Sequence, residues 1–221
     1  MDAKFAGLYE SCRDYTLTSK ERMYALYKAV EYVVSGNLEG AVVECGVWRG
    51  GSSMLAAMTL MQLGATDRDL YLYDTYAGMS EPTALDVDWQ RKSPLEEWRR
   101  LRTATHNEIT YCPIEQVQEN LYRTGYPRDR LHFVKGRVED TIPATIPDSI
   151  AVLRLDTDWY ESTHHELTQL FPRLVKGGVL IIDDYGHWRG AREATDNYFS
   201  EHRTSLLLNR VDYTGRIGVR T

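Results

Sequence analysis

Two short apolar segments between residues 151 and 185 each end in acidic residues. The first, AVLRLD, ends on Asp156, and Asp158 follows it; the second, GVLIID, ends on Asp183, which is followed by Asp184. A helical stretch and a Gly-Gly turn separate them, which predicts two neighbouring parallel strands joined by a helix. The carboxyl ends of such strands meet at the edge where open α/β sheets bind their ligands.

The acids at these two strand ends predict a metal site. Asp156, Asp183 and Asp184 would repel one another in a shared crevice and resist joint ionisation unless a cation lay among them. Carboxylate oxygens are the ligands that hard divalent cations prefer. We therefore predict that these three residues bind Mg²⁺, with Mn²⁺ as a substitute.

The composition of the chain narrows its class. Its 221 residues suit one α/β domain over residues 1–221. No apolar run is long enough to span a bilayer, no signal-peptide pattern opens the chain, and the three cysteines are too widely spaced for a disulfide framework. A net charge of −6 disfavours general binding to polyanions. We expect a cytoplasmic protein that binds neither nucleic acid nor membrane.

The apolar segments alternate between strand and helix patterns along the chain. Besides the two acidic strands, strands are predicted at residues 41–46, 69–74, 130–136, 205–211 and 216–220. Helices are predicted at residues 18–34, 52–63, 95–106, 114–124, 161–170 and 189–199, whereas residues 1–16 form an arm or a short helix. The predicted fold is α/β: a seven-stranded, mostly parallel sheet with a terminal antiparallel hairpin and an N-terminal helical extension at residues 1–38. The loop at residues 75–93 is long enough to be a lid.

The ends of the first two strands carry features of a nucleotide-type site. Gly46, Gly50 and Gly51 do not follow the dinucleotide pattern and lack the lysine of a P-loop, so ATP or GTP is not indicated. Asp74, at the end of the second strand, stands where an acid can accept hydrogen bonds from ribose hydroxyls. Plainer interpretations stay open: a tight strand-to-helix turn for the glycines, and a cap or loop acid for Asp74.

Five motifs in this order resemble the macrocin O-methyltransferase family: VVECGVWRGGSS, LYDTYAGM, VKGRVEDTIP, LRLDTDWYEST and GGVLIIDDYGHWRG. The resemblance covers roughly residues 18–199. It implies the class I methyltransferase fold, which is Rossmann-like, and the cofactors S-adenosylmethionine and Mg²⁺. It also implies a small-molecule acceptor, a sugar diol, and a homodimer or larger homo-oligomer.

The resemblance also implies roles for individual residues. S-adenosylmethionine is expected to contact Glu44, Gly46, Val47, Trp48, Gly50, Ser52, Asp74, Thr75, Val138, Glu139 and Asp140. The metal ligands are the three aspartates predicted above. Substrate contacts are expected from Met79, Asp158, Tyr185 and His187. The alternative for Glu139 and Asp140 is that they cap a helix.

Two residues are candidates for the base that takes the proton of the acceptor hydroxyl. Related catechol enzymes place a lysine three residues after the first metal-binding aspartate, and Trp159 occupies that position here. We therefore predict that Asp156 both binds the metal and receives the proton, with His187 as the alternative catalytic residue. Asp158 is predicted to support the metal or the substrate, or to cap the helix that follows it.

Three functions are compatible with this pattern. The leading one is S-adenosylmethionine- and metal-dependent methylation of a hydroxyl of a vicinal diol, on a sugar of a natural product or glycoconjugate. A catechol-type phenol O-methyltransferase is disfavoured by the missing lysine, and a non-catalytic binding protein by the three clustered acids. The pair His164-His165 and the basic cluster at Arg99, Arg100 and Arg102 are interpreted as solvated helix faces.

Overall fold

The computed structural model describes residues 2–221 and contains a mixed seven-stranded sheet. The strands are β1 (Ala41–Cys45), β2 (Leu70–Asp74), β3 (Leu131–Lys135), β4 (Ile150–Leu155), β5 (Leu174–Ile182), β6 (Asn209–Arg210) and β7 (Arg216–Val219). Their order in the sheet is β3-β2-β1-β4-β5-β7-β6. Strands β1 to β5 are parallel, whereas β7 runs antiparallel to both β5 and β6. The predicted α/β class and terminal antiparallel pair are therefore confirmed.

Helices cover both faces of this sheet. They are α1 (Ala3–Cys12), α2 (Lys20–Ser35), α3 (Gly51–Gln62), α4 (Leu95–Arg100), α5 (Ile114–Tyr122), α6 (Val138–Thr141), α7 (Tyr160–Leu170) and α8 (Arg189–Glu201). The N-terminal segment is a helix, because Phe5, Leu8 and Cys12 pack into the core formed with α2 and α3. Helices α7 and α8 pack together beside the second core cluster. None of the helices over residues 2–221 is long and apolar enough to cross a membrane.

Two elements are shorter than their sequence patterns predict. Helix α4 ends at Arg100, and the Thr103 hydroxyl instead donates to the His106 carbonyl oxygen at 2.7 Å and accepts from the His106 amide at 3.0 Å. Such local side-chain bonds compete with helix continuation. Strand β6 contains only residues 209 and 210, because the preceding leucines include two that pack on the core without joining a ladder.

The carboxyl ends of β1 and β4 approach each other closely beneath the predicted site. Gly46, which follows β1, has φ of 84° and lies against the backbone carbonyl of Asp156, where a Cβ would collide with that oxygen. A glycine is therefore required at this position both by conformation and by space. This contact brings the turn after the first strand next to the first acidic strand end.

Candidate active site

A cavity of about 280 Å³ lies at the carboxyl edge of the parallel strands. All but three of the residues predicted from the sequence line it: Glu44, Gly46, Val47, Trp48, Ser52, Asp74, Thr75, Met79, Val138, Glu139, Asp156, Asp158, Asp183, Asp184 and His187. The sheet topology explains this gathering, because the turns after β1, β2, β3, β4 and β5 all open toward the same edge.

The three other predicted residues lie outside the cavity wall. Gly50 is the N-cap residue before α3 and has a positive φ, and a Cβ there would lie 2.7 Å from the Leu121 side chain. Asp140 lies in the short helix α6. Tyr185 donates a hydrogen bond to the Asp196 carboxylate at 2.7 Å and lines a neighbouring groove.

The acidic strand ends form one compact cluster. Asp156, Asp183 and Asp184 each offer a carboxylate oxygen, and these oxygens lie within 4.8 Å of one another. Burial, together with the charges of Asp158 and Asp156, raises the pKa of the Asp184 carboxyl well above its usual range. The mutual repulsion that this shift reflects is the kind that a bound cation relieves.

A buried arginine, which the sequence reasoning missed, lies behind this cluster. Arg154 belongs to β4, faces Glu44 of β1 in the sheet register, and is only 2% exposed. Its guanidinium lies 2.7 Å from a carboxylate oxygen of Glu44, 2.7 Å from one of Asp156 and 2.6 Å from one of Asp183. It also donates to the Thr18 hydroxyl at 2.8 Å. One side chain thus contacts two of the three clustered aspartates and Glu44, which is predicted to contact the cofactor.

A second arginine extends this network to both ends of the chain. Arg22, in the first turns of α2, donates to the second carboxylate oxygen of Asp183 and, at 2.9 Å, to Asp212 in the turn between β6 and β7. The Ser19 hydroxyl donates to the same Asp212 oxygen at 2.7 Å.

The signal for Arg154 was present in the sequence, since a charged residue interrupts the apolar run AVLRLD. Nothing comparable marked Arg22.

Acidic groups outnumber basic ones in this network. Two guanidinium groups, those of Arg22 and Arg154, face the carboxyl groups of Glu44, Asp156, Asp158, Asp183, Asp184 and Asp212. The excess of negative charge lies on the cavity side, around Asp158 and Asp184, whose amide-to-carboxylate contact measures 3.3 Å. The donor set therefore fits a hard divalent cation.

The side of the cavity where the sequence predicts cofactor contacts is organised around Asp74. One of its carboxylate oxygens accepts from the backbone amides of Val47 at 2.7 Å and Trp48 at 3.0 Å. The other accepts from the Tyr76 amide at 2.7 Å. Asp74 thus fixes the turns after β1 and β2 in relation to each other, and burial raises its pKa.

The candidate bases differ in their surroundings. Burial, followed by the charge of Asp156, raises the pKa of the Asp158 carboxyl to about 7. Burial lowers the pKa of the His187 imidazole, whose Nδ1 lies 3.1 Å from the Tyr213 hydroxyl. Trp159 is buried and donates from its indole nitrogen to the Ser80 carbonyl oxygen at 3.0 Å. Position 159 therefore holds a tryptophan that is hydrogen-bonded to the loop at residues 75–93, where related catechol enzymes have a lysine.

The sequence profile of the macrocin O-methyltransferase (TylF) family matches residues 6–217 of the chain. The chain belongs to this family. Because the macrocin O-methyltransferases are a family of enzymes, the protein is an O-methyltransferase rather than a non-catalytic scaffold, and its fold implies S-adenosylmethionine as the methyl donor.

Individual relatives of this O-methyltransferase support the assignment. The 8-demethyl-8-(2,3-dimethoxy-alpha-L-rhamnosyl)-tetracenomycin-C 4'-O-methyltransferase of Streptomyces olivaceus is 36% identical over 201 residues, which are 91% of this chain and 74% of the relative. The mycinamicin III 3''-O-methyltransferase of Micromonospora griseorubida is 32% identical over 213 residues, 93% of this chain and 80% of the relative. The structure of the O-methyltransferase NovP superposes with a TM-score of 0.81 at 30% identity and covers 94% of this chain and 82% of that one.

Proposed function

We propose that this enzyme transfers a methyl group from S-adenosylmethionine to one hydroxyl of a vicinal diol on a sugar, with Mg²⁺ or Mn²⁺ bound at the acidic cluster. The observation that carries the proposal is the position of Asp156, Asp183 and Asp184, which line the same cavity as the expected cofactor residues. The name of one relative supports a sugar acceptor, since its substrate contains a 2,3-dimethoxy-rhamnosyl group.

The residues of the cavity divide into two groups in this proposal. Those after β1, β2 and β3 bind the cofactor, with Asp74 available to a ribose hydroxyl through the remaining lone pairs of its carboxylate. Those after β4 and β5 hold the metal. A bound Mg²⁺ would supply Lewis-acid polarisation of the acceptor hydroxyl. The role of the protein is to hold the hydroxyl oxygen in line with the methyl group and to keep water out of the crevice.

The first experiment tests cofactor, metal and acceptor class together. We expect S-adenosylmethionine to bind in a calorimetric titration, and we expect labelled methyl transfer to glycosides carrying a free vicinal diol. Transfer should stop when EDTA is added and return with excess Mg²⁺ or Mn²⁺, because the acid cluster alone cannot polarise the hydroxyl. Absence of binding at millimolar cofactor, or transfer that EDTA leaves unchanged, would contradict the proposal.

The geometry favours Asp158 as the proton acceptor over the two candidates predicted from the sequence. Asp156 already contacts the Arg154 guanidinium at 2.7 Å and belongs to the proposed metal cluster, so its carboxylate oxygens are engaged elsewhere. Burial lowers the pKa of His187, which makes its imidazole a weaker base than an exposed histidine. Asp158 lines the cavity, lies outside the cluster of three and has a raised pKa.

Replacing Asp158 by asparagine should therefore lower kcat by about 100- to 10,000-fold, the usual contribution of a general base. Replacing His187 by asparagine should cost less than about tenfold. A base acts only when deprotonated, so wild-type turnover should fall with falling pH below the pKa of this group, and Asp158→Asn should lose that dependence. Steady-state rates between pH 5 and pH 9 measure this. An Asp158→Asn enzyme with an unchanged pH profile would assign the base elsewhere.

A further inference from the structure

A buried acid on α7 lies directly behind the turn that carries the candidate base. Glu166 is completely buried and does not line the active-site cavity, whereas Thr157, the residue between Asp156 and Asp158, does line it. The Thr157 hydroxyl lies 3.0 Å from one carboxyl oxygen of Glu166 and 3.1 Å from the other. Glu166 therefore reaches the cavity wall through Thr157.

No positive charge compensates this acid. Among residues 2–221, no basic side chain forms an ion pair with Glu166. Burial raises the pKa of its carboxyl well above the usual range, which favours the neutral form, and the Cys45 thiol is a second polar neighbour. A neutral carboxyl can accept from the Thr157 hydroxyl with one oxygen and donate to it with the other. The nearly equal distances fit this exchange.

The turn that Thr157 belongs to has a backbone that needs support. Asp158 has φ of 67°, in the left-handed region that residues other than glycine rarely adopt. The Ser162 hydroxyl, also on α7, lies 3.3 Å from the Thr157 carbonyl oxygen and 3.2 Å from that of Trp159. Because Ser162 and Glu166 are four positions apart, they lie on the same face of the helix. Helix α7 thus contacts both the carbonyl and the hydroxyl of Thr157.

We propose that Glu166 is a positioning residue for methyl transfer, which fixes the turn at residues 156–158 through the Thr157 hydroxyl and thereby places the carboxylates of Asp156 and Asp158. An apolar side chain at position 166 would leave this hydroxyl without its partner, and the turn would be free to move. Catalysis is sensitive to displacements of this kind, because reacting groups must be held close and in line. The inference rests on the proposed roles of Asp156 and Asp158 and adds the residue that holds them.

Two substitutions at one position test the contact. Glu166→Gln keeps one acceptor and one donor for the Thr157 hydroxyl, whereas Glu166→Met has a similar length and keeps neither. The substrate for the assay is methyl α-L-rhamnopyranoside, a simple glycoside with free vicinal hydroxyls, with S-adenosylmethionine and Mg²⁺. We expect Glu166→Met to lower kcat by about 10- to 100-fold, the usual effect of losing a residue that supports a catalytic group. Glu166→Gln should stay near the wild type, and the KM for S-adenosylmethionine should change little in either variant.

Hydrogen exchange of the amides at residues 156–160 reports on the turn without any acceptor. Exchange should be faster in Glu166→Met than in the wild type, and Glu166→Gln should restore the slow rate. Thr157→Val removes the same contact from the other side and should also speed exchange. The double variant Thr157→Val and Glu166→Met should exchange no faster than either single variant, because both changes remove one shared interaction.

Leu167→Val is the matched control, because it shortens a side chain of the second core cluster beside Glu166 without removing a hydrogen bond. It should lower the midpoint of urea unfolding but leave kcat and the exchange of the turn as in the wild type. Wild-type exchange in Glu166→Met, a loss of kcat in Glu166→Gln as large as that in Glu166→Met, or the same losses in Leu167→Val would overturn the assignment. If the wild-type protein methylated no glycoside, the proposed sugar methylation would be contradicted instead, and the exchange rates would still decide the role of Glu166.

Discussion

Replacing Asp184 by asparagine should lower the affinity of the protein for Mn²⁺ by more than about 100-fold, because residues that merely support a metal ligand already contribute 10- to 100-fold. Asparagine keeps the shape of the side chain and removes its charge. Asp184 is the best member of the cluster for this experiment, since neither Arg154 nor Arg22 forms an ion pair with it among residues 2–221. The loss would therefore report on the metal and not on a broken ion pair.

The affinity can be measured by following free Mn²⁺ with electron paramagnetic resonance during a titration. Asp196→Asn provides a matched control, because Asp196 is a half-exposed acid on α8 that lies outside the cluster. Both variants should bind S-adenosylhomocysteine as the wild type does, since the expected cofactor residues lie after other strands. Equal Mn²⁺ affinity in Asp184→Asn and wild-type protein would rule out the acid cluster as the metal site.

Replacing Arg154 by methionine should have the largest effect on stability of any single change near the site. Methionine fills a similar volume but leaves Glu44, Asp156 and Asp183 without their shared cation in a buried place. Breaking a buried ion pair from one side typically costs about 3–5 kcal/mol in the free energy of unfolding. We expect a loss of at least this size in metal-free protein, and a smaller loss when Mn²⁺ is added, because a metal at the proposed site would neutralise Asp156 and Asp183.

Urea unfolding monitored by circular dichroism measures the free energy of unfolding with and without Mn²⁺. Arg154→Lys keeps the positive charge but cannot contact all three carboxylates at once. Its free energy of unfolding should therefore lie between those of Arg154→Met and the wild type. Arg123→Met is the control, since Arg123 forms an exposed pair with Glu119 at 3.7 Å, and exposed pairs contribute roughly 0–1 kcal/mol. If Arg154→Met were as stable as Arg123→Met, the buried network would have no role in holding the carboxylates.

The sequence was most informative where local pattern and sheet topology coincide. The proximity of Asp156, Asp183 and Asp184 could be predicted because the carboxyl ends of adjacent parallel strands meet at one edge of the sheet. The full length of β6 could not be predicted, because the apolar run at residues 205–208 packs on the core instead of pairing. The period of a short apolar run does not distinguish these two outcomes.

The contacts of the two arginines could not be predicted from the sequence alone. Arg22 lies on an amphipathic helix in a pattern that suits a solvated face, yet it contacts Asp183, directly after β5, and Asp212 in the last turn. Only the packing of α2 across the sheet edge creates that contact. The sequence likewise showed that Trp159 stands where related enzymes have a lysine. It could not show that Trp159 donates a hydrogen bond to Ser80, because that contact depends on the path of the loop at residues 75–93.

The arginine network also bears on how the protein folds. Arg22 meets Asp183 and Asp212 across sequence separations of 161 and 190 residues. Contacts between such distant residues form late, since the intervening chain must be ordered first. Arg154 is close in sequence to Asp156 and Asp183, but Arg22 therefore joins the acid cluster only when the first helices and the final hairpin have closed on the same sheet. Metal affinity should thus appear at the end of refolding, and a chain that is only partly folded during synthesis would hold its carboxylates too loosely to bind the ion.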